Sequence, residues 1–134
     1  MVTTTPNKPL RSLEFIASSR KDLGEFPDKV REEIGYALYR AQLGERAAGV
    51  KTLSGFGGGG VVEIIEDHAG DSYRCVYTVK LKSAVYVLHA FMKKSKRGAE
   101  TPRHDIDLIR ARLRAAQAED EIAQTPGAKE RTER

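Results

Sequence analysis

One run, residues 83–97 (SAVYVLHAFMKKSKR), limits what this chain can become more than any other. From Ala84 to Met92 it is apolar at nearly every position and rich in β-branched and aromatic side chains. Such a run suits a strand, and its length suits one too. A strand apolar on both faces must meet protein on both faces, which places it inside a sheet. The chain then turns basic at Lys93, Lys94, Lys96 and Arg97. A sheet would hold that charge rigidly at one strand end, where it suits a phosphate backbone.

The charge balance sharpens the point. The 134 residues carry 23 Lys and Arg against 19 Asp and Glu, a net of +4. Residues 84–112 hold seven basic and three acidic side chains, so this window alone accounts for the +4. Positive charge gathered beside one strand end points to a polyanionic partner. A chain of this length fits one domain with tails. The single cysteine, Cys75, excludes an internal disulfide and fits a reducing, cytoplasmic setting. Its mid-strand position reads as core. No apolar run approaches the ~18 residues of a membrane span, and the first residues lack the apolar core of a secretory signal.

Taken in order, residues 1–9 read as a flexible leader, residues 10–118 as the domain and residues 119–134 as a polar, disordered tail. Alternation over 10–17 gives a first strand. A short helix runs from Ser18 or Ser19 to Leu23. Pro27 opens a longer helix over 28–44, whose Val30, Ile34, Ala37, Leu38 and Ala41 form one apolar stripe. Residues 51–60 (KTLSGFGGGG) are a glycine-rich connection. They fail the P-loop pattern, because Val61 and Val62 stand where Lys and Ser or Thr are required. Three strands follow at hairpin spacing, over 61–66, 73–80 and 84–92, with a turn at 67–71. Thr101 and Pro102 open a last helix, as N-cap and first helical residue, with Ile106, Ile109 and Leu113 as its stripe. The order β-α-α-β-β-β-α predicts an α+β domain. It would have a four-stranded antiparallel sheet, a helical hairpin on one face, and a C-terminal helix.

The chemistry-bearing residues follow from this frame. Alternation puts Tyr73, Cys75 and Tyr77 under the helical hairpin and leaves Arg74 on an open face beside the strand that ends in Lys93. Arg74 then has two readings. It pairs with Glu63 on the neighbouring strand, or its forked guanidinium clamps a phosphate. His89 lies within the apolar strand, either hydrogen-bonded structurally or bordering the basic cluster. His104 falls in the first turn of the last helix. The three histidines have no metal-ligand spacing, and one cysteine cannot complete a zinc site. No cofactor motif or Ser or Cys nucleophile motif is present.

These same residues carry a resemblance. Tyr73-Arg74 followed by Val-Tyr, the run Val85–Ser95 (VYVLHAFMKKS), and Thr101-Pro102 before a helix with Ile106, Ile109 and Arg112 resemble the RelE/HigB toxin superfamily. The phage-derived HigB-like branch is the nearest, and the glycine-rich approach to Val61-Val62-Glu63 resembles it too. The resemblance implies the toxin of a type II toxin–antitoxin pair, neutralised by a helix-turn-helix antitoxin. It also implies a ribosome-dependent mRNA endonuclease that cuts by attack of the RNA's own 2′-hydroxyl, without metal or cofactor. Arg74 matches the family's strand arginine, and Lys93 or Lys94 its basic residue after the last strand. Lys96, Arg97, His89 and His104 are then expected to bind RNA. The sequence departs from the founding pattern: residues 61–66 carry Glu63 and Glu66 where lysines are usual, and the last helix has no tyrosine. Two other readings share the fold or the charge: a ParE-like toxin that poisons gyrase, and a non-catalytic basic module that binds RNA or ribosomes.

Overall fold

The computed structural model describes residues 9–94 and 100–125. The strands are β1 (Ser12–Phe15), β2 (Lys51–Thr52), β3 (Val61–His68), β4 (Asp71–Thr78) and β5 (Ala84–Lys93). The helices are α1 (Ser19–Gly24), α2 (Asp28–Gln42) and α3 (Arg103–Gln124). α2 begins at Asp28 as expected and ends two residues before the expected Gly44, whereas α3 begins one residue later than the sequence predicts. Pro27 (ψ 150°) and Pro102 (ψ 151°) keep extended backbone at the N-cap itself.

The α+β class is as expected, but the sheet has five strands in the order β1-β5-β4-β3-β2 and is mixed. Two hairpins make β3, β4 and β5 antiparallel, the first turning through Ala69 and Gly70, both at positive φ. β1 lies parallel to β5, with Ser12 opposite Ala84 and Phe15 opposite Val87. An alternating pattern is identical in parallel and antiparallel strands, so the sequence cannot express this direction. β2 is two residues long, too short for any periodicity, and pairs antiparallel with β3 inside what reads as a glycine-rich loop.

The inner strands carry two cores. On one face, Val30, Ile34, Ala37, Leu38 and Ala41 of α2 pack on Val62, Ile64, Cys75, Tyr77, Val85 and Val87. The α2 stripe and the placing of Cys75 and Tyr77 beneath it match the sequence pattern. The opposite face is not open. α3 covers it, with Ile109 and Ala116 packed on Val61, Val76, Tyr86 and Leu88. β5 is thereby buried on both sides from Ala84 to Ala90.

α3 continues past residue 118 to Gln124. Asp120, 3% exposed, accepts hydrogen bonds from the Lys82 N–H (3.0 Å), the Ser83 N–H (2.7 Å) and the Tyr86 hydroxyl (3.3 Å). That carboxylate ties the last turns of α3 to the β4–β5 turn. The expected leader 1–8, the basic residues Lys96 and Arg97, and the tail 126–134 lie outside the described residues.

Candidate active site

The end of β5 is shaped by one extra residue. Tyr77 pairs with Val87, but Val76 pairs with His89, so Leu88 is inserted as a β-bulge. A bulge resets which face each later side chain takes. Strict alternation from Val87 would send His89, Phe91 and Lys93 to the α2 face. With the bulge they share the α3 face with Val76, Arg74 and Ser72, their partners on β4. The insertion thus brings His89, Arg74 and Lys93 to one corner of one face.

Arg74 does not stand on an open surface there. It is 2% exposed. Its Nε donates to Ser72 Oγ at 3.0 Å, and its Nη1 lies 3.5 Å from Glu63 Oε2. The Thr101 hydroxyl donates to the same carboxylate oxygen at 3.0 Å instead of capping α3. Glu63 sits diagonally across from Arg74, since Ile65 is its direct partner and Glu63 is opposite Val76. The pairing alternative for Arg74 is the one realised. The expected open face is corrected because α3 packs on this side of the sheet and Thr101 reaches Glu63 there.

His89 is likewise buried. Its Nε2 is 2.7 Å from Asp105 Oδ1, and its Nδ1 is 3.4 Å from Arg112 Nη1. A guanidinium only donates, so Nδ1 accepts and Nε2 carries the hydrogen toward Asp105. Arg112 also donates to the Leu88 carbonyl (3.0 Å) and to Ser18 Oγ (3.2 Å). The Phe91 ring stacks on His89, with centroids 4.8 Å apart. Both ring nitrogens are therefore engaged, and His89 links α3 to β5, which is the hydrogen-bonded alternative for this residue. His104, one residue from Asp105, is exposed on the first turn of α3.

The accessible charge is at the strand end. Lys93 is half-buried, and its Nζ donates to the Glu100 carbonyl at 2.8 Å. Lys94 is exposed. Behind this corner, on the α2 face, burial and the nearby Glu63 charge push the Cys75 thiol up to about 12, so it offers no thiolate at neutral pH. Among the described residues, no three His, Cys, Asp or Glu side chains gather closely enough to hold a metal ion.

Sequence reasoning missed Ser72, Asp105 and Arg112 as members of this corner, and treated Glu63 only as a possible partner. A signal was present. Asp105 and Arg112 are seven residues apart, which puts them on one helix face two turns apart. Glu63 is a carboxylate embedded in an otherwise apolar strand start.

The family description "Phage derived protein Gp49-like (DUF891)" matches residues 21–114, from α1 through most of α3. The chain belongs to this family. The Gp49-like family lies within the RelE/HigB-like toxin superfamily of toxin–antitoxin systems, and membership brings with it a cognate antitoxin as the general partner. No curated protein matches the chain. The match spans every residue of the corner just described except Ser18. Among the described residues, no helix is long and apolar enough to cross a membrane.

Proposed function

We propose that this Gp49-like protein is a toxin that cuts mRNA on the ribosome, using the RNA's own 2′-hydroxyl as nucleophile on the adjacent phosphate. Such a reaction needs no nucleophile from the protein. As the 2′-oxygen bonds to phosphorus, the bond to the 5′-oxygen breaks. The 2′-proton passes to solvent or a base, and the departing 5′-oxygen takes one up. The protein must fix positive charge where the phosphorane's non-bridging oxygens become most negative. The observation that supports this reading is Lys93. The bulged strand aims it, and the Glu100 carbonyl holds its Nζ, beside the exposed Lys94. In this reading Lys93 and Lys94 meet the phosphate, and His104 and the basic residues Lys96 and Arg97 extend the RNA contact. Arg74 serves from behind. Its ion pair is with Glu63, the carboxylate that also accepts from Thr101 just before α3. The antitoxin that blocks this corner is, on the same reading, a helix-turn-helix protein encoded beside the toxin.

The test is cleavage of a defined mRNA on purified ribosomes. Lys93→Ala is expected to lower the single-turnover rate by about 10²–10³, as for loss of a preorganised transition-state donor. Lys94→Ala should cost less, because its side chain is less fixed. The 5′ fragment should end in a 2′,3′-cyclic phosphate or 3′-phosphate, and a 2′-deoxy sugar at the cut position should block the reaction. Normal cutting of the deoxy substrate, or abolition by EDTA with ribosomes kept intact, would replace this mechanism. Intact mRNA with arrested DNA replication would replace it with gyrase poisoning.

A further inference from the structure

The glycine-rich connection has no part in the corner around Lys93, yet it is the most heavily furnished surface at the other end of the sheet. Gly55, Gly57, Gly58 and Gly59 all take positive φ, folding residues 53–60 into a tight loop between β2 and β3. Two cations are tied to its backbone. Lys80 Nζ donates to the Gly58 carbonyl at 2.6 Å, and Arg110 Nη1 donates to the Gly55 carbonyl at 3.2 Å. The Arg110 guanidinium also lies 4.8 Å from the centroid of the Phe56 ring. Beside them an open groove of about 690 Å³ runs between the β4–β5 turn and α3, lined by Lys80, Lys82, Arg114, Gln117 and Glu121 with Asp120 at its base.

The charges in this groove and on the loop beside it are not cancelled in pairs. Among the described residues, Lys80, Lys82, Arg110 and Arg114 form no ion pair with a carboxylate. Asp120 is committed inward to the Lys82 and Ser83 N–H groups and the Tyr86 hydroxyl. Glu121 is the one carboxylate left on the rim. Two cations braced on a loop backbone, one of them a guanidinium over an aromatic ring, and two more beside them match the chemistry of a phosphodiester backbone.

Distance separates this surface from the first. β5 has ten residues between the two ends, which at ~3.3 Å per residue is about 30 Å. A phosphate held at Lys93 cannot also lie in the groove. We propose that the groove between the β4–β5 turn and α3, together with the glycine-rich loop that Lys80 joins to it, is a second RNA-backbone site, and that its occupant is folded ribosomal RNA and not the mRNA being cut. This rests on the ribosome-dependent reading above and adds the surface that would dock the toxin there.

The experiment titrates ribosomes free of mRNA with the wild-type protein and with Lys82→Gln/Arg114→Gln over a salt series. Both side chains are exposed, and thermal melts establish that the variant is folded. Wild type should bind, and the double variant should bind more weakly. The slope of log K against log salt should shrink by about 1.5, near 0.7–0.9 for each phosphate no longer neutralised. Arg114→Gln alone should account for about half of that change. Unchanged affinity and slope, weaker binding with an unchanged slope, or no wild-type binding to vacant ribosomes would each overturn the proposal. So would loss of antitoxin binding with ribosome binding intact, which would assign the groove to an acidic protein. Cleavage is scored separately. Patch-dependent binding without cleavage sinks the nuclease reading and leaves this one standing. Cleavage with patch-independent binding does the reverse.

Discussion

Arg74 and Glu63 set the energetics of the corner. Both are nearly inaccessible, at 2% and 3% exposed, so neither charge is compensated by solvent. Removing one partner of a buried pair leaves the other uncompensated, at a cost of about 3–5 kcal/mol. Arg74→Ala should therefore lower stability by that order in a denaturant titration. The pair is then tested by a double-mutant cycle with Glu63→Gln, in which a coupling of at least ~1 kcal/mol is expected. Additive losses would mean that the two side chains do not support each other. This matters for function, because inactivity of Arg74→Ala reads as chemistry only in protein shown to be folded. Cleavage retained by a folded Arg74→Lys variant would fit a positioning role.

At the scale of elements, α3 decides most. It runs back along β5, held at its start by Asp105 on His89, in the middle by Arg112 on the Leu88 carbonyl, and near its end by Asp120 on the β4–β5 turn. Burial works to raise the Asp120 pKa, but the Ser83 and Lys82 N–H groups and the Tyr86 hydroxyl outweigh it and hold it below the ordinary value. A depressed folded-state pKa gives stability that is present above the unfolded value, near 3.9, and is lost as pH falls through the folded one. Wild type should therefore lose stability below about pH 4 more steeply than Asp120→Asn. Equal acid slopes for the two proteins would show that the carboxylate does not carry this linkage. At pH 7 the same substitution should cost about 1–3 kcal/mol, because a neutral amide serves those donors less well. The burial that raises the Tyr86 hydroxyl to about 12 keeps it a donor to Asp120 throughout this range.

At the scale of the whole molecule, two cores share one sheet, and the strands between them are shielded on both sides. Cys75 reports on that shielding. Its thiol lies in the α2-side core with a pKa pushed to about 12, so native protein at pH 8 should resist alkylation and react only through unfolding. Rapid labelling of the native protein would mean that the α2 layer opens readily. The sequence alone determined the two long helices, the three hairpin-linked strands, the double burial of β5 and the basic cluster at its end. These are local: they follow from the apolar period of each segment and from Gly and Pro at its ends, which read the same in any tertiary setting. The α2 stripe and the placing of Cys75 and Tyr77 beneath it belong to this class. Other features were decided only when segments distant in sequence met. The direction of β1 leaves no trace in an alternating pattern. β2 exists because Lys51 and Thr52 lie beside Glu63 and Val62, and not through any preference of two residues. The docking of the last turns of α3 on the β4–β5 turn comes from the acceptance of two turn N–H groups by Asp120. The face taken by His89 and Lys93 turns on one bulged residue, Leu88, in a run apolar at nearly every position, where a shift of register leaves the hydrophobic pattern almost unchanged. Arg74 is buried for the same reason. Its strand position was legible, but the helix that covers it and the Glu63 carboxylate that neutralises it come from parts of the chain that only the folded structure brings together.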